Sequence, residues 1–141
     1  MADQVKWFHA PVRVAWSDTD AAGIVWFGMF CRYLEVAEAA LFAAAGRPVP
    51  AFFADHPILM PRTELNCLFR SPARFDDVLD VALAVESATE RRIRFAYAIT
   101  QSRDGKLVSE GSYEIACVDK TTFKGRPFPA EVTVIFEKAF T

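Results

Sequence analysis

Two carboxylates stand one residue apart at the start of the most apolar segment of the chain. Asp18 and Asp20 precede Gly23, and the residues that follow, 24–31, are apolar apart from one glycine. A carboxylate beside apolar surface costs free energy unless it is compensated. The pair is therefore either a set of turn and cap residues, the ordinary role of Asp in such places, or Asp20 faces a pocket as a general base or nucleophile.

The helix predicted after this acid pair adds to the second interpretation. Apolar residues recur at helical spacing from Phe27 to Ala45, and the first N–H groups of a helix have no acceptor within the helix. Such groups, with the positive end of the helix dipole, polarise a carbonyl and stabilise the oxyanion that forms on attack. A carboxylate beside these donors is a minimal apparatus for acyl transfer.

Other familiar catalytic patterns are missing from the sequence. It contains no G-x-S-x-G, no P-loop and no G-x-G-x-x-G. His9 and His56 are far apart and the cysteines form no ligand pair, so no metal site is expected. Cys31, Cys67 and Cys117 are odd in number and lie in apolar contexts, which predicts reduced core thiols in a cytosolic protein. A Cys–His nucleophile stays open, but nothing favours it.

Two basic segments form a second candidate site. Arg91 and Arg92 lie between two predicted strands, and the loop 119–129 carries Lys124 and Arg126. Arg binds phosphate in a bidentate manner, so the functional interpretation is a clamp for a polyphosphate ligand such as coenzyme A. A solvated hairpin is the ordinary alternative.

Length and composition limit the class of protein. The 141 residues suit a single domain, 1–141, and a 52% hydrophobic content predicts a well-filled core. The formal net charge of -2 gives no reason to expect a nucleic-acid partner. The N-terminus has no long apolar run, and no segment reaches the roughly 18 apolar residues that a membrane helix needs. We therefore expect a cytoplasmic protein with no membrane partner.

The hydrophobic pattern predicts one helix and a set of strands. The helix follows a first strand, is stopped by Gly46 and Pro48, and is expected to be nearly enclosed by a sheet. The loops are predicted at 47–61 and 119–129, and residues 131–136 form either a short strand or a terminal helix. Period-two alternation predicts the strands 11–16, 62–70, 78–87, 92–100 and 107–118. One helix on one face of an antiparallel sheet is an α+β fold.

The segment SDTDAAGIVWFGMFCRYLEVA resembles the signature of the 4-hydroxybenzoyl-CoA thioesterase family, which has the hotdog fold. The family pattern is roughly Asp-x-Asp-x-x-Gly-x-Val-aromatic, followed by a helix with a further acid. The matching positions are Asp18, Asp20, Gly23, Val25, Trp26 and Glu35. The resemblance continues through residues 71–81, the pair 91–92 and residues 116–129.

The resemblance implies a long central helix wrapped by a curved antiparallel sheet. It also implies a homotetramer, a dimer of dimers, with active sites at the dimer interface. Asp20 would be the catalytic carboxylate, and the N–H of Phe27 would polarise the thioester carbonyl. Gly23 would let the chain approach closely, and Glu35 would meet the distal end of the acyl group.

The resemblance also assigns the substrate contacts. Arg91, Arg92, Lys124 and Arg126 would handle the phosphates of coenzyme A, which is part of the substrate, so no cofactor is expected. A second set of residues is expected to wall the acyl pocket, although core packing is the ordinary role of such side chains. This set is Trp26, Phe27, Phe30, Met60 and Phe69.

One position departs from part of the family. A branch of acyl-CoA thioesterases linked with the Tol-Pal envelope system has His where this chain has Phe27. The downstream blocks nevertheless resemble that branch.

The expected reaction is hydrolysis of an acyl- or aroyl-CoA to the free acid and coenzyme A. The alternatives are a short-chain aliphatic acyl-CoA thioesterase and a non-catalytic acyl-CoA binder. A hotdog dehydratase would need a His beside an acid, which neither histidine suggests.

Overall fold

The computed structural model describes residues 5–140. Its helices are α1 (Met29–Ala44), α2 (Val49–Asp55) and α3 (Ala130–Ala139), and a short 3-10 turn spans Trp16–Asp18. Its strands are β1 (Phe8–Arg13), β2 (Ile58–Leu59), β3 (Arg62–Phe69), β4 (Val78–Ala88), β5 (Arg92–Gln101), β6 (Leu107–Ala116) and β7 (Val118–Asp119).

Five of the strands form one antiparallel sheet in the order β1-β4-β5-β6-β3. Alternate residues of β4 and β5, among them Val81 and Phe95, are fully buried on the face that the helices cover. Helix α1 contacts β4, and the Phe95 ring packs on Phe136 of α3. The opposite face carries polar residues such as Arg92 and Glu114. The strands β2 and β7 form a separate small pair. The expected α+β hotdog fold, a long helix wrapped by an antiparallel sheet, is confirmed.

The central helix α1 is bounded by glycines at both ends. Gly28 is its N-cap residue. At the other end Gly46 has a φ of +77°. Its N–H bonds to the Ala43 carbonyl at 2.9 Å, and that of Arg47 bonds to the Phe42 carbonyl at 3.0 Å. These two bonds form a Schellman motif, so the predicted stop at Gly46 is confirmed.

The helix is less enclosed than expected. Its buried residues form a broad stripe of seven, and the residues of the other face, including Cys31 and Glu35, are exposed. The sheet covers only one side of α1, because the strands that α1 contacts are mainly β1 and β4. The cavity of the candidate active site opens on the side of α1 that the sheet does not cover.

Two of the predicted segments were wrong, and for a third the sequence allows two alternatives. The segment 47–61, predicted as a loop, contains α2 and β2. Pro48 is the N-cap of α2 and Pro50 lies in its first turn, where a missing N–H is harmless. The first strand is β1, earlier than 11–16, because Phe8 pairs with Leu83 and the chain turns into a 3-10 turn at Trp16. Residues 131–136 lie within the helix α3, one of the two predicted alternatives.

No single helix within residues 5–140 is both long and apolar enough to span a membrane. Among the described residues, only the bent pair of α1 and α2 reaches that length and composition together.

The strand β3 forms one edge of the sheet. It exposes three large apolar side chains, Leu65, Leu68 and Phe69.

Candidate active site

The two acids of the sequence motif lie in different environments. Asp18 is 4% exposed. Its Oδ2 atom accepts hydrogen bonds from the backbone N–H of Ala15 and from the Tyr33 hydroxyl, both at 2.9 Å. Burial and the bond to Asp18 raise the pKa of Tyr33. Asp18 is therefore the turn and cap residue of the pair, held between the 3-10 turn and α1.

Asp20 is exposed at the tip of the loop in front of α1. The loop is closed by backbone bonds from Asp20 N–H to the Ile24 carbonyl at 3.0 Å and from Gly23 N–H to the Asp20 carbonyl at 2.9 Å. The Asp20 Oδ1 atom accepts the N–H of Ala22 at 2.9 Å. The Oδ2 atom has no partner among the residues that the structure describes. One carboxylate oxygen thus fixes the loop while the other stays available.

Gly23 has a conformational role in this loop. Its φ is +79°, a region that L side chains rarely adopt. A Cβ built at Gly23 would have no described atom within 4 Å. Gly23 is therefore needed for the conformation of this turn, and not because another part of the described chain packs closely against it.

The start of α1 is shaped by Trp26 and Gly28. The helix begins at Met29, two residues later than predicted. The Trp26 ring lies directly over Gly28, where a Cβ would come within 2.1 Å of it, so glycine is required for space. Sequence reasoning missed Gly28, although a glycine at the start of an aromatic-rich and alanine-rich helix is a usable signal.

Phe27 lies in the turn just before α1 and its side chain is 74% exposed. Its ring meets the Trp26 ring edge to face at 5.9 Å. Its N–H has no acceptor within residues 5–140. This donor is therefore available to a ligand, in the same loop as the available oxygen of Asp20.

A cavity of about 640 Å³ opens on the uncovered side of α1. It lies between α1, α2 and the strands β3 and β6, and it begins at Cys31, one helical turn after Phe27. Glu35 and Met60, both predicted site residues, line it. Its apolar walls include Leu34, Phe42, Val49, Phe53 and Leu65. The volume is in the range of small-molecule sites.

Not every predicted wall residue lines this cavity. Trp26 lies over Gly28 instead, and Phe30 is buried in the core. The Phe69 ring packs on Phe30 with their centroids 5.4 Å apart. For Phe30 the ordinary core role is therefore the observed one.

Sequence reasoning missed the polar cluster in this cavity. Glu38, a charged residue of the predicted helix that the sequence analysis did not single out, is only 8% exposed. Its Oε2 atom accepts hydrogen bonds from the Tyr113 hydroxyl at 2.9 Å and from Nη2 of Arg62. Burial and the Glu38 charge raise the pKa of Tyr113. All three residues line the cavity.

The expectation of three core thiols was wrong for two of them. Cys117 is buried, Cys67 is partly buried and Cys31 is exposed. Cys31 lies on the side of α1 that faces the cavity, which the sheet does not cover. Burial raises the pKa of Cys67 and of Cys117.

The two basic segments meet at one end of the sheet. The Arg91 carbonyl accepts the N–H of Cys117 at 3.1 Å. The Arg91 guanidinium lies 3.9 Å from the position that a Cβ atom would occupy at Gly125. Gly125 belongs to the loop that also carries Lys124. Neither the Arg91 guanidinium nor the Lys124 ammonium has a hydrogen-bond or ion-pair partner in the described part of the chain.

The other two predicted phosphate ligands are already paired. Arg92 contacts Glu114 at 2.7 Å on the outer face of the sheet, and Arg126 contacts Asp119 at 3.3 Å. The N–H groups of Thr122 and Thr121 lower the pKa of Asp119. The structure thus brings Arg91 and Lys124 together as available cations, while Arg92 and Arg126 are engaged by carboxylates.

His56 is not isolated as the sequence suggested. Its Nε2 atom lies 2.6 Å from Glu131 Oε2, and Arg47 bonds the same carboxylate. These contacts join the ends of α1 and α2 to the start of α3. No group of three His, Cys, Asp or Glu side chains in the described residues is arranged to hold a metal ion.

Comparison with known proteins assigns the chain to a family. The model of the thioesterase-like superfamily matches residues 14–136, so the chain belongs to the thioesterase-like superfamily. The resemblance deduced from the acid pair and the helix is confirmed at that level.

Particular relatives carry more specific names. The acyl-CoA thioester hydrolase YbgC of Escherichia coli is 26% identical over 131 residues, which are 93% of this chain and 96% of that protein. The 1,4-dihydroxy-2-naphthoyl-CoA hydrolase of Microcystis aeruginosa is 27% identical over 113 residues, 80% of each chain. The crystal structure of Slr0204, a 1,4-dihydroxy-2-naphthoyl-CoA thioesterase from Synechocystis, matches with a TM-score of 0.85 at 22% identity and covers 92% of this chain and 95% of that one.

Proposed function

We propose that this protein hydrolyses an acyl-CoA or aroyl-CoA thioester to the free acid and coenzyme A. The observation that carries the proposal is the loop in front of α1. It offers one carboxylate oxygen of Asp20 and the N–H of Phe27, both without a partner among residues 5–140 and both on exposed residues. The similarity to proteins named acyl-CoA thioester hydrolase and 1,4-dihydroxy-2-naphthoyl-CoA hydrolase supports the same reaction class.

In this mechanism the thioester carbonyl binds against the Phe27 N–H at the positive end of α1. The N–H and the helix dipole stabilise the oxyanion that forms when the carbonyl is attacked. Asp20 acts in one of two ways. It attacks the carbonyl and forms a mixed anhydride that water then cleaves, or it removes a proton from the attacking water. The thiolate of coenzyme A leaves in either case.

The acyl group extends from the Phe27 N–H along α1 into the 640 Å³ cavity. Its first wall is Cys31, and Glu35 and Met60 follow. Arg91 and Lys124 bind the phosphates of coenzyme A, because neither has a carboxylate partner in the described residues and the two segments meet at the same end of the sheet. Arg92 and Arg126 take part only if their carboxylate partners release them.

The proposal includes assembly through the exposed edge strand β3. Its unpaired backbone groups and the exposed Leu65, Leu68 and Phe69 suit pairing with a second copy. Such pairing would join two sheets edge to edge and bring the open cavity close to the partner chain. The homotetramer stays a prediction that analytical ultracentrifugation tests.

The decisive experiment is thiol release from a panel of CoA thioesters by the wild type and Asp20→Asn. The panel contains benzoyl-CoA, 4-hydroxybenzoyl-CoA, a short aliphatic acyl-CoA and a long one. Asn keeps the oxygen that accepts the Ala22 N–H, so the loop should persist. We expect a loss on the order of 10² or more in rate, the contribution of a positioned base or nucleophile.

The control is Asp104→Asn, which makes the same change at an exposed acid of the turn between β5 and β6. Near-normal turnover by Asp20→Asn would refute both versions of the mechanism. Isotopic oxygen passing from labelled water into Asp20 in a single turnover, or a trapped mixed anhydride, would identify the nucleophilic route. Tight binding of CoA thioesters without thiol release would favour the alternative of a non-catalytic binder.

A further inference from the structure

The polar cluster formed by Glu38, Arg62 and Tyr113 lies in a cavity whose other walls, apart from Glu35, are mainly apolar. A buried carboxylate is costly unless it is paired and hydrogen-bonded. Here Glu38 Oε2 has two donors, but Glu38 Oε1 accepts no hydrogen bond within the described residues although Glu38 lines the cavity. One acceptor is therefore left for an occupant of the cavity.

Arg62 adds donors at the same place. A guanidinium has five N–H groups, and the Arg62 contacts use two of them, to Glu38 and to the Met60 carbonyl at 2.8 Å. The Arg62 side chain is 43% exposed and lines the cavity. Three N–H groups therefore have no partner among residues 5–140.

The cluster lies at a fixed distance from the expected reaction centre. Glu38 is nine residues after Met29, the first residue of α1, which corresponds to about 14 Å along a helix. The cavity begins at Cys31 and continues past Glu38. An acyl group bound along α1 would therefore place its far end, and not its carbonyl, at the cluster.

The charges at this end favour a neutral occupant. Glu38 and Arg62 compensate each other, and Glu35 on the same cavity wall adds a negative charge that disfavours an acyl group ending in a carboxylate. An acceptor and a donor side by side suit a hydroxyl group, which both donates and accepts. A purely apolar end would cover Glu38 Oε1 and the Arg62 N–H groups without replacing their hydrogen bonds to water.

We propose that Glu38, Arg62 and Tyr113 are specificity-determining residues that select acyl groups with a hydroxyl at the far end over equally long acyl groups that end in a methyl group. Glu38 accepts the hydrogen bond of the hydroxyl, Arg62 donates to its oxygen, and Tyr113 holds the Glu38 carboxylate in place. The inference rests on the proposed thioesterase activity.

The test compares matched pairs of substrates. Plain alkanoyl-CoA and ω-hydroxyalkanoyl-CoA thioesters of the same chain length, from four to twelve carbons, are assayed for kcat/KM. Because a polar group that loses its hydrogen bonds to water without replacement is costly, we expect a preference for the hydroxylated member of about tenfold or more. The preference should appear only at the lengths that reach the cluster.

The variant is the double substitution Glu38→Leu with Arg62→Met. Replacing both members of a buried ion pair with apolar residues is often tolerated, whereas removing one leaves an uncompensated charge. The preference for the hydroxylated substrate should fall at least tenfold and reverse at the longer lengths. Tyr113→Phe removes only the hydroxyl that holds Glu38 and should reduce the preference for the hydroxylated substrate in part. This variant provides the test if the double variant fails to fold.

The matched control is Glu110→Leu with Arg70→Met, an ion pair between β6 and the residue that follows β3, whose atoms are 3.1 Å apart and which does not line the cavity. It should keep the wild-type preference. Equal kcat/KM values for both members at every length, or a wild-type preference that the cluster variants retain, would overturn the inference. If hydrolysis is absent or independent of Asp20, the proposed function itself fails, whereas Asp20-dependent hydrolysis without a preference refutes only the specificity role.

Discussion

The Tyr33 hydroxyl donates a 2.9 Å hydrogen bond to Asp18 Oδ2, which joins the second turn of α1 to the loop that carries Asp20. The same carboxylate oxygen accepts the N–H of Ala15. Asp18 thus fixes the position of the loop, while Asp20, two residues later, keeps an available oxygen. One acid holds the loop in place, and the other is the carboxylate that we propose as the catalytic group.

Removing the Tyr33 hydroxyl should therefore reduce stability. In Tyr33→Phe the buried Asp18 carboxylate loses one of its two donors, and we expect the free energy of unfolding to fall by about 1–3 kcal/mol. Urea denaturation measures this change. Asp20→Asn is the contrasting variant, expected to lose activity and keep its stability, since Asp20 is exposed. A Tyr33→Phe protein as stable as the wild type would contradict the structural role of Asp18.

The two neighbouring arginines should differ in their effect on substrate binding. Arg91→Gln should raise KM for acyl-CoA with little change in kcat, because it removes an available cation near the loop of Lys124. Arg92→Gln is the matched control and should have the smaller effect, because Arg92 is paired with Glu114. The KM for an acyl thioester of pantetheine, which lacks the phosphates, should not respond to Arg91→Gln. An equal rise for both thioesters would refute phosphate binding by Arg91.

Cys31 should be the first thiol to react with an alkylating reagent. It is exposed at the cavity, whereas burial raises the pKa of Cys67 and Cys117 and so lowers their thiolate fractions near pH 7. Mass spectrometry after brief treatment with iodoacetamide locates the label. A bound non-hydrolysable acyl-CoA analogue should slow the reaction, and Cys31→Ser should protect activity from the reagent. Labelling of Cys31 at the same rate with and without the analogue would place the acyl group elsewhere.

The contacts of Glu131 should make stability depend on pH. The hydrogen bonds from Arg47, and then from His56, lower the pKa of Glu131. A carboxyl whose pKa is depressed in the folded state stabilises that state above its ordinary pKa, and this contribution is lost as the pH falls through the depressed value.

Glu131→Gln should therefore lower Tm at pH 7 and have a smaller effect near pH 3, about one unit below the ordinary pKa of Glu. Thermal unfolding across this range measures the difference. Glu137→Gln, the same change at an exposed position of α3, is the control. A Tm difference for Glu131→Gln that is independent of pH would show that its contacts are not charge-dependent.

The main elements could be predicted because their patterns are local. The period of two in β4 and β5 and the helical spacing of α1 reflect one buried face each. The helix α2 was missed because Pro48 and Pro50 indicate a loop when their positions within a helix are unknown. At the start of α2 the two prolines are compatible with a helix.

The candidate site was predictable only in part, because its burial pattern depends on distant residues. Nothing local distinguishes the buried Asp18 from the exposed Asp20; the difference comes from Tyr33 and the 3-10 turn. Glu38 is buried because Arg62 and Tyr113, from two different strands, reach it. Such partners are adjacent only in the folded chain, so the polar cluster of Glu38, Arg62 and Tyr113 could not be predicted from the sequence.

The order of the strands in the sheet has a consequence for synthesis on the ribosome. The early strands β1 and β3 form the two edges, and the strands β4, β5 and β6 that join them are made later. The apolar stripe of α1 therefore leaves the exit tunnel before the sheet that will cover it exists. A nascent chain halted before β4 should be held by chaperones that bind apolar segments, and release should follow once β6 has been translated.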